Sequence, residues 1–199
     1  MEFIKTLSLF EFAGLITGLL CVWLLIKQNI WTWPIGIVYV VISLIVFWEA
    51  RLYADLLLHF LYLGMNAYGW YYWLYGRKKN QIVIPVTKAT HKQLTILLSI
   101  SIVGTAASGF LFDTYTDASL AYWDSATTVF SLTGMWLTAR KKIENWYYWF
   151  FVDVLATGIY FYKGIYFYAI LYLIYIFLAV SGYLLWRKSL IQAAVRPPK

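Results

Sequence analysis

The sequence has little charge, little proline and a single cysteine. Of its 199 residues, 13% are charged and four are Pro, whereas 62% are hydrophobic and 21% aromatic. A soluble domain has about 25% charged and about 45–50% apolar residues, so a water-soluble globule of this size could not bury this much apolar surface. The lone Cys21 excludes an intrachain disulfide. This composition argues against soluble enzymes and nucleic-acid-binding proteins.

Apolar runs about 20 residues long recur along the whole chain, which is typical of a polytopic α-helical membrane protein. The first run lacks a basic leader and a cleavage site, so we expect a retained span rather than a signal peptide. The connector 76–92 carries five of the sixteen basic residues and is expected to lie in water, outside the bilayer. Breaking the apolar runs at charge clusters predicts seven transmembrane helices, at 8–27, 30–48, 52–75, 93–112, 119–139, 143–162 and 165–186.

The basic residues are distributed unevenly between the two sides of the predicted membrane. Thirteen of the sixteen Lys and Arg residues fall on the side of the C-terminus, and three, Lys5, Arg51 and Lys163, fall on the side of the N-terminus. The positive-inside rule then places the C-terminus in the cytoplasm and the N-terminus outside. The net charge of +7 therefore indicates topology in a lipid bilayer and not a nucleic-acid partner.

The sequence matches itself at a constant offset of 113 residues, with pairs such as Trp33 and Trp146, Gly69 and Gly182, and Trp73 and Trp186. Two three-helix repeats with the same orientation need one helix between them, which predicts a 3+1+3 plan for an all-α integral membrane protein. Parallel repeats are a transporter architecture, with the binding site at the repeat interface near the midplane. The predicted parts are a first repeat at 1–76, a connector and linker helix at 77–113, a second repeat at 114–189 and a cytoplasmic tail at 190–199.

The sixth predicted helix carries the deepest acid of the chain, Asp153, near the middle of the bilayer. An ionisable residue at this depth indicates a functional site unless a partner satisfies it. Trp146, Trp149 and Asp153 share one helix face. Two aromatic planes leading to a carboxylate suit a flat cationic heteroaromatic ligand, through stacking, cation–π attraction and charge. The alternatives are interface anchoring or packing for the tryptophans, and for Asp153 a protonated or hydrogen-bonded carboxyl held by neighbouring Tyr hydroxyls.

Four further residues are candidate ligand contacts. His59, Asn66 and Trp70 follow one face of the third predicted helix, although His59 could equally be a satisfied interior histidine. Trp123 lies at the outer start of the fifth predicted helix, beside Asp124 and Ser125. Asp124 and Ser125 are also what a helix N-terminus prefers, with Ser125 as a possible cap.

Long motifs of this chain resemble the PnuC family of bacterial vitamin transporters. They are WPIG at 33–36, ARLYADLLLH at 50–59, YGWYYW at 68–73, WDS at 123–125 and ARKKIENWYYWFFVD at 139–153. The resemblance implies a 3+1+3 bundle in the bacterial inner membrane, a homotrimer, and facilitated diffusion of a vitamin with trapping by a cytoplasmic vitamin kinase. The family's Trp-x-x-Trp-x-x-x-Asn/Asp pattern maps onto Trp146, Trp149 and Asp153.

Two departures from the family bear on the vitamin. Family members that carry nicotinamide riboside commonly have Gln where this chain has His59, and often Asn where it has Asp153. A carboxamide pairs naturally with Asn or Gln, whereas His and Asp suit an aminopyrimidine and a fixed positive charge. These two residues favour thiamine, with nicotinamide riboside as the alternative and riboflavin-like ligands as a third class.

Other classes of membrane protein fit the sequence less well. A retinal photoreceptor needs a lysine within the last span, and none occurs between Lys163 and Lys188. HExxH, GxSxG and paired histidine ligands are absent, so we expect neither an enzyme nor a metal site, and no cofactor. The chain has no Walker motif for ATP. A cation channel with a ring of Asp153 side chains is a more remote alternative.

Overall fold

The computed structural model describes residues 9–49, 53–77, 83–116 and 119–195. In this part of the chain the seven predicted helices are all present, and the only β pairing is an isolated bridge between Thr87 and Lys142. The all-helical prediction is therefore confirmed. The helices are α1 (Leu9–Ile26), α2 (Thr32–Glu49), α3 (Tyr53–Tyr75), α4 (His91–Tyr115), α5 (Ala121–Ala139), α6 (Asn145–Tyr162) and α7 (Tyr166–Val195).

The last helix extends furthest beyond its predicted end. α7 continues to Val195, whereas the predicted span ends at residue 186. Arg187 and Lys188 mark the end of the apolar run, but both are good helix formers, and no Gly or Pro follows before Pro197. The charges thus indicate where the membrane segment ends, not where the helix ends.

Length and composition alone qualify two helices of the described ranges as membrane spans: all of α4, and Tyr166–Gln192 within α7. Two shorter apolar stretches, Phe12–Ile26 and Thr32–Ile45, lie in α1 and α2. Of the remaining helices, α3 and α6 are rich in Trp and Tyr, and α5 is rich in Ser and Thr. Trp and Tyr are favoured at membrane interfaces, and Ser and Thr are common inside helical membrane proteins, although none of the four scores as strongly apolar.

The chain divides between Ile84 and Pro85 into two compact units. In the first unit, α1 packs against α2 and α2 against α3. In the second unit, α4 packs against α5, α5 against α6, and α6 against α7. The fourth helix therefore belongs to the same unit as the last three and packs against α5. The boundaries predicted for the separate repeats remain a prediction.

A tryptophan packed onto a glycine joins α2 to α3 in the first unit. The indole of Trp33 is buried against Gly69, where an added Cβ would overlap three carbons of the ring. Trp73 meets this indole edge-on, with ring centroids 5.4 Å apart and an interplanar angle of 84°. Only glycine at position 69 allows the helix backbone and the indole to approach this closely.

The second unit contains the same arrangement between α6 and α7. The indole of Trp146 is buried against Gly182, where a Cβ would again overlap three ring carbons. Trp186, which is fully buried, meets it edge-on at 5.4 Å and 88°. The three residues lie 113 positions after their counterparts in the first unit.

The turns α1–α2 and α5–α6 also share one backbone conformation. Gln28 (φ 55°) and Lys141 (φ 49°) are the two non-glycine residues with positive φ in the described part of the chain. Each donates its amide to the carbonyl three residues earlier, and the next residue donates to the carbonyl five residues earlier, at 2.9 Å in both turns. This is a Schellman motif, which satisfies the last carbonyls of α1 and α5.

In the second unit, the segment before α4 docks on the α5–α6 turn. The amide of Thr87 donates to the Lys141 carbonyl and the amide of Ile143 donates to the Thr87 carbonyl, each at 3.0 Å. The buried carboxylate of Glu144 accepts a hydrogen bond from the Ala89 amide at 2.8 Å. These contacts fix the end of the connector on the turn that opens α6.

Lys141 is buried in this turn, and burial lowers the pKa of its ammonium from 10.5 to about 8. Between these values the unfolded chain binds more protons than the folded chain, so the free energy of unfolding should rise with pH from about 8 to about 10.5. Lys141→Met should be more stable than the wild type at pH 7, and this difference should shrink towards pH 10. Thermal midpoints in detergent measure it, and a difference that stays constant across this range would contradict the assignment.

Candidate functional site

Asp153 lies in the middle of α6 and is 6% exposed. Among the described residues, its carboxylate contacts neither a hydrogen-bond donor nor a Lys or Arg side chain. The hydroxyl of Thr157 donates instead to the Asp153 backbone carbonyl, at 2.7 Å. An isolated carboxylate in an apolar setting is costly unless it is neutralised or paired. A carboxyl group buried in this way is either protonated or paired with a cation, and a cationic ligand is one candidate for that partner.

Trp149 lies one turn before Asp153 and is held against α5. Its indole Nε1 donates to the hydroxyl of Thr138 at 3.0 Å, and that hydroxyl donates to the Gly134 carbonyl at 2.9 Å. The ring passes over Gly134, where an added Cβ would be 3.5 Å from the indole. Since Trp149 and Asp153 are four residues apart on a helix, they share a face. A hydrogen-bonded indole and a buried carboxyl group therefore lie on the same face of α6.

Trp146 is placed differently from Trp149. It is 2% exposed and packs on Gly182 and Trp186 within the α6–α7 interface. This burial favours the packing interpretation that the sequence left open. A ligand contact by Trp146 stays a prediction.

Two of the three candidates on α3 are buried in the first unit. His59 packs edge-on against Tyr62, with centroids 5.3 Å apart, and the Asn66 amide donates to the Tyr62 carbonyl at 2.9 Å. The Asn66 carbonyl oxygen lies against Gly36, where a Cβ would overlap it. Trp70 is 39% exposed. The predicted face is therefore divided, with His59 and Asn66 buried and Trp70 on the surface of the unit.

Trp123 is 54% exposed near the start of α5. Its neighbour Asp124 forms an ion pair with Lys163 at 3.1 Å, which joins the start of α5 to the α6–α7 turn. The interpretation of Ser125 as a helix cap is wrong, because α5 begins at Ala121 and Ser125 therefore lies inside the helix. The Ser125 hydroxyl is buried and has no hydrogen-bond partner within the described ranges.

Some residues that shape the site escaped sequence reasoning. Thr138 and Gly134, which hold Trp149, resemble the many small residues of membrane helices. The Trp146–Gly182–Trp186 cluster did have a signal, because all three residues belong to the 113-residue matches. A cavity of about 240 Å³ on the second unit contains none of the predicted site residues and is lined by Leu94, Leu98, Phe130, Tyr147, Tyr148 and Phe151.

Comparison with known proteins gives matches along nearly the whole chain. A family profile described as nicotinamide mononucleotide transporter matches residues 8–188. The nicotinamide riboside transporter PnuC of Escherichia coli (strain K12) is 29% identical over 207 residues, which cover 92% of this chain and 87% of that protein. The riboflavin/roseoflavin transporter RibM of Streptomyces davaonensis is 28% identical over 178 residues, covering 88% and 83% respectively.

A crystal structure of the vitamin B3 transporter PnuC has the same fold. Its TM-score is 0.71 at 21% sequence identity, covering 90% of this chain and 81% of that chain. These relatives are named for nicotinamide riboside, vitamin B3 or riboflavin. The preference for thiamine drawn from His59 and Asp153 is therefore not supported, and the alternative, nicotinamide riboside, has the better support.

Proposed function

We propose, because the chain belongs to the PnuC family of vitamin transporters, that it carries nicotinamide riboside across the bacterial inner membrane. The observation that carries this proposal is the 29% identity to the E. coli nicotinamide riboside transporter over 92% of the chain. The α6 geometry agrees with it. Nicotinamide riboside contains a flat pyridinium ring with a fixed positive charge, which the Trp149 face and the Asp153 carboxylate can bind together.

The same geometry can bind either of two vitamins. Thiamine also has a flat cationic ring, so a buried carboxylate serves either ligand. Riboflavin is uncharged and would leave Asp153 without a positive partner. A cationic vitamin is therefore favoured by the site, and nicotinamide riboside by the relatives.

We also propose the 3+1+3 plan with two parallel repeats. Its support is that α2 and α6 begin 113 residues apart, that each unit contains a Trp–Gly–Trp cluster, and that the turns before α2 and α6 have the same backbone hydrogen bonds. The distribution of thirteen and three basic residues supports an outer N-terminus and a cytoplasmic C-terminus. A homotrimer is proposed from the family resemblance alone.

Transport is proposed to be facilitated diffusion, with no ion or ATP coupled to it. Accumulation then depends on a cytoplasmic kinase, because phosphorylation adds negative charge to the vitamin. A phosphate ester is repelled by the Asp153 carboxylate and is a poor ligand for the site. The kinase thus removes the vitamin from the transport equilibrium.

Proteoliposomes containing the purified chain test this function. Vesicles loaded with unlabelled nicotinamide riboside should take up the labelled vitamin by saturable exchange. In empty vesicles, the internal concentration of the vitamin should rise only to the external concentration. With the membrane potential held at zero, imposed proton or sodium gradients should not change the final level. Exchange of thiamine in preference to nicotinamide riboside would overturn the substrate, and gradient-driven accumulation would overturn facilitated diffusion. Ion conductance without vitamin exchange would support the channel alternative.

A further inference from the structure

We propose that Thr138 is a positioning residue for the transported vitamin, because its hydroxyl fixes the indole of Trp149 in the orientation that stacks on the ligand ring. This inference rests on the proposed function, in which Trp149 contacts the vitamin. Thr138 lies on α5 and is itself buried, so it acts through the indole.

The hydrogen bonds give the indole a defined direction. The Thr138 hydroxyl donates its only proton to the Gly134 carbonyl, at 2.9 Å. Its oxygen is then available as an acceptor, and the Trp149 Nε1–H donates to it at 3.0 Å. Without the hydroxyl, the indole N–H loses this acceptor in a setting where an unpaired donor is costly.

Gly134 lies against the face of the same indole ring. It precedes Thr138 by one helical turn, and an added Cβ there would be 3.3 Å from Tyr148 and 3.5 Å from Trp149. Because position 134 has no side chain, the α5 backbone can lie close to the indole face, while the Thr138 hydroxyl binds the indole N–H. Part of the ring remains accessible, since Trp149 is only half-buried.

The first unit serves as an internal control for this contact. At the 113-residue offset, Thr138 corresponds to Leu25 and Trp149 to Gly36. The Trp–Gly–Trp cluster recurs in both units, but this hydrogen bond has no possible counterpart between a leucine and a glycine. A three-helix unit therefore folds without it. The bond belongs to what distinguishes the second unit, which also holds Asp153.

Two substitutions at Thr138 and one matched control test the proposal. Thr138→Val removes the hydroxyl at nearly constant volume and should weaken nicotinamide riboside binding by about 3- to 10-fold, whereas Thr138→Ser should stay within about 2-fold of the wild type. Thr133→Val makes the same change on the same helix at a buried hydroxyl that contacts Ser101. It should leave affinity unchanged. Calorimetric titration of the full-length protein measures all three.

A double-mutant cycle shows whether Thr138 acts through the indole. Trp149→Phe keeps an aromatic ring but removes the N–H, so adding Thr138→Val should then cost no further affinity. The same fold-loss in both backgrounds would overturn the positioning role. If Thr138→Val does not fold, Trp149→Phe removes the hydrogen bond from the other side. Its affinity for nicotinamide riboside should then fall, and wild-type affinity in this variant would equally overturn the role.

Failure of this inference can be told apart from failure of the proposed function. Absence of nicotinamide riboside binding by the wild-type protein would overturn the proposed function and the inference with it. Normal wild-type binding together with additive losses in the cycle would overturn the role of Thr138 alone.

Discussion

Asp153→Asn should weaken nicotinamide riboside binding by at least about tenfold, because it removes the carboxylate charge and keeps the size of the side chain. Two unit charges about 4 Å apart attract by about 4 kcal/mol at an effective dielectric constant near 20. Solvation of the free ligand offsets part of this, and about 1.4 kcal/mol is enough for a tenfold change in affinity.

The reduced form of the same vitamin is the matched control ligand. It keeps the ribose and the carboxamide, but its dihydropyridine ring is uncharged, so Asp153→Asn should change its affinity by less than about threefold. Trp149→Ala should weaken both forms, since both lose the aromatic surface; stacking and cation–π contacts are each worth about 0.5–2 kcal/mol. Calorimetric titration of the wild type and both variants with each ligand gives the four changes in affinity. Equal losses for the two ligands in Asp153→Asn would show that the carboxylate supports protein packing and not the charge of the vitamin.

Gly69→Ala and Gly182→Ala should each lower the thermal midpoint of the purified protein. At both positions the new Cβ overlaps a buried indole, of Trp33 or of Trp146, and neither rigid ring can move without disturbing a second tryptophan. Overpacking of this kind costs about 1–3 kcal/mol. For a chain of this size the cost corresponds to a decrease of about 2–12 °C.

The chain provides controls for the same substitution. Gly64 on α3 and Gly158 on α6 have no neighbouring atom within 4 Å of an added Cβ. Gly64→Ala and Gly158→Ala should therefore leave the midpoint unchanged or raise it slightly, because alanine favours a helix by up to about 1 kcal/mol over glycine. Equal decreases in all four variants would show that the effect is not steric. A decrease at Gly182 but not at Gly69 would contradict equivalent packing in the two units.

The helices could be predicted from the sequence because each is one run of apolar and aromatic residues, interrupted by few polar ones, between clusters of charge. For Trp146 the sequence could not decide between packing and a ligand contact, because its partners Gly182 and Trp186 lie on another helix and the local spacing is the same for both. Trp149 shows the same limit in reverse. Its spacing predicted a shared face with Asp153, but nothing in the sequence marked Thr138 as the residue that orients it.

The substrate depended on too few side chains to be predicted. His59 and Asp153 indicate a hydrogen-bonding and positively charged ligand, and two vitamins satisfy that description. His59 and Asp153 favour thiamine, whereas the relatives favour nicotinamide riboside.

The length of α7 has a mechanical consequence. Its 30 residues extend about 45 Å at 1.5 Å per residue, about half as long again as the hydrocarbon core. With the proposed topology, the helical residues after Arg187 extend into the cytoplasm. Because they lie far from the helix centre, a small tilt of α7 displaces them more than it displaces the residues inside the membrane. A 10° tilt about the helix centre moves its end by about 4 Å at this length. A spectroscopic label at Gln192 would therefore act as a lever-arm reporter of helix motion during transport.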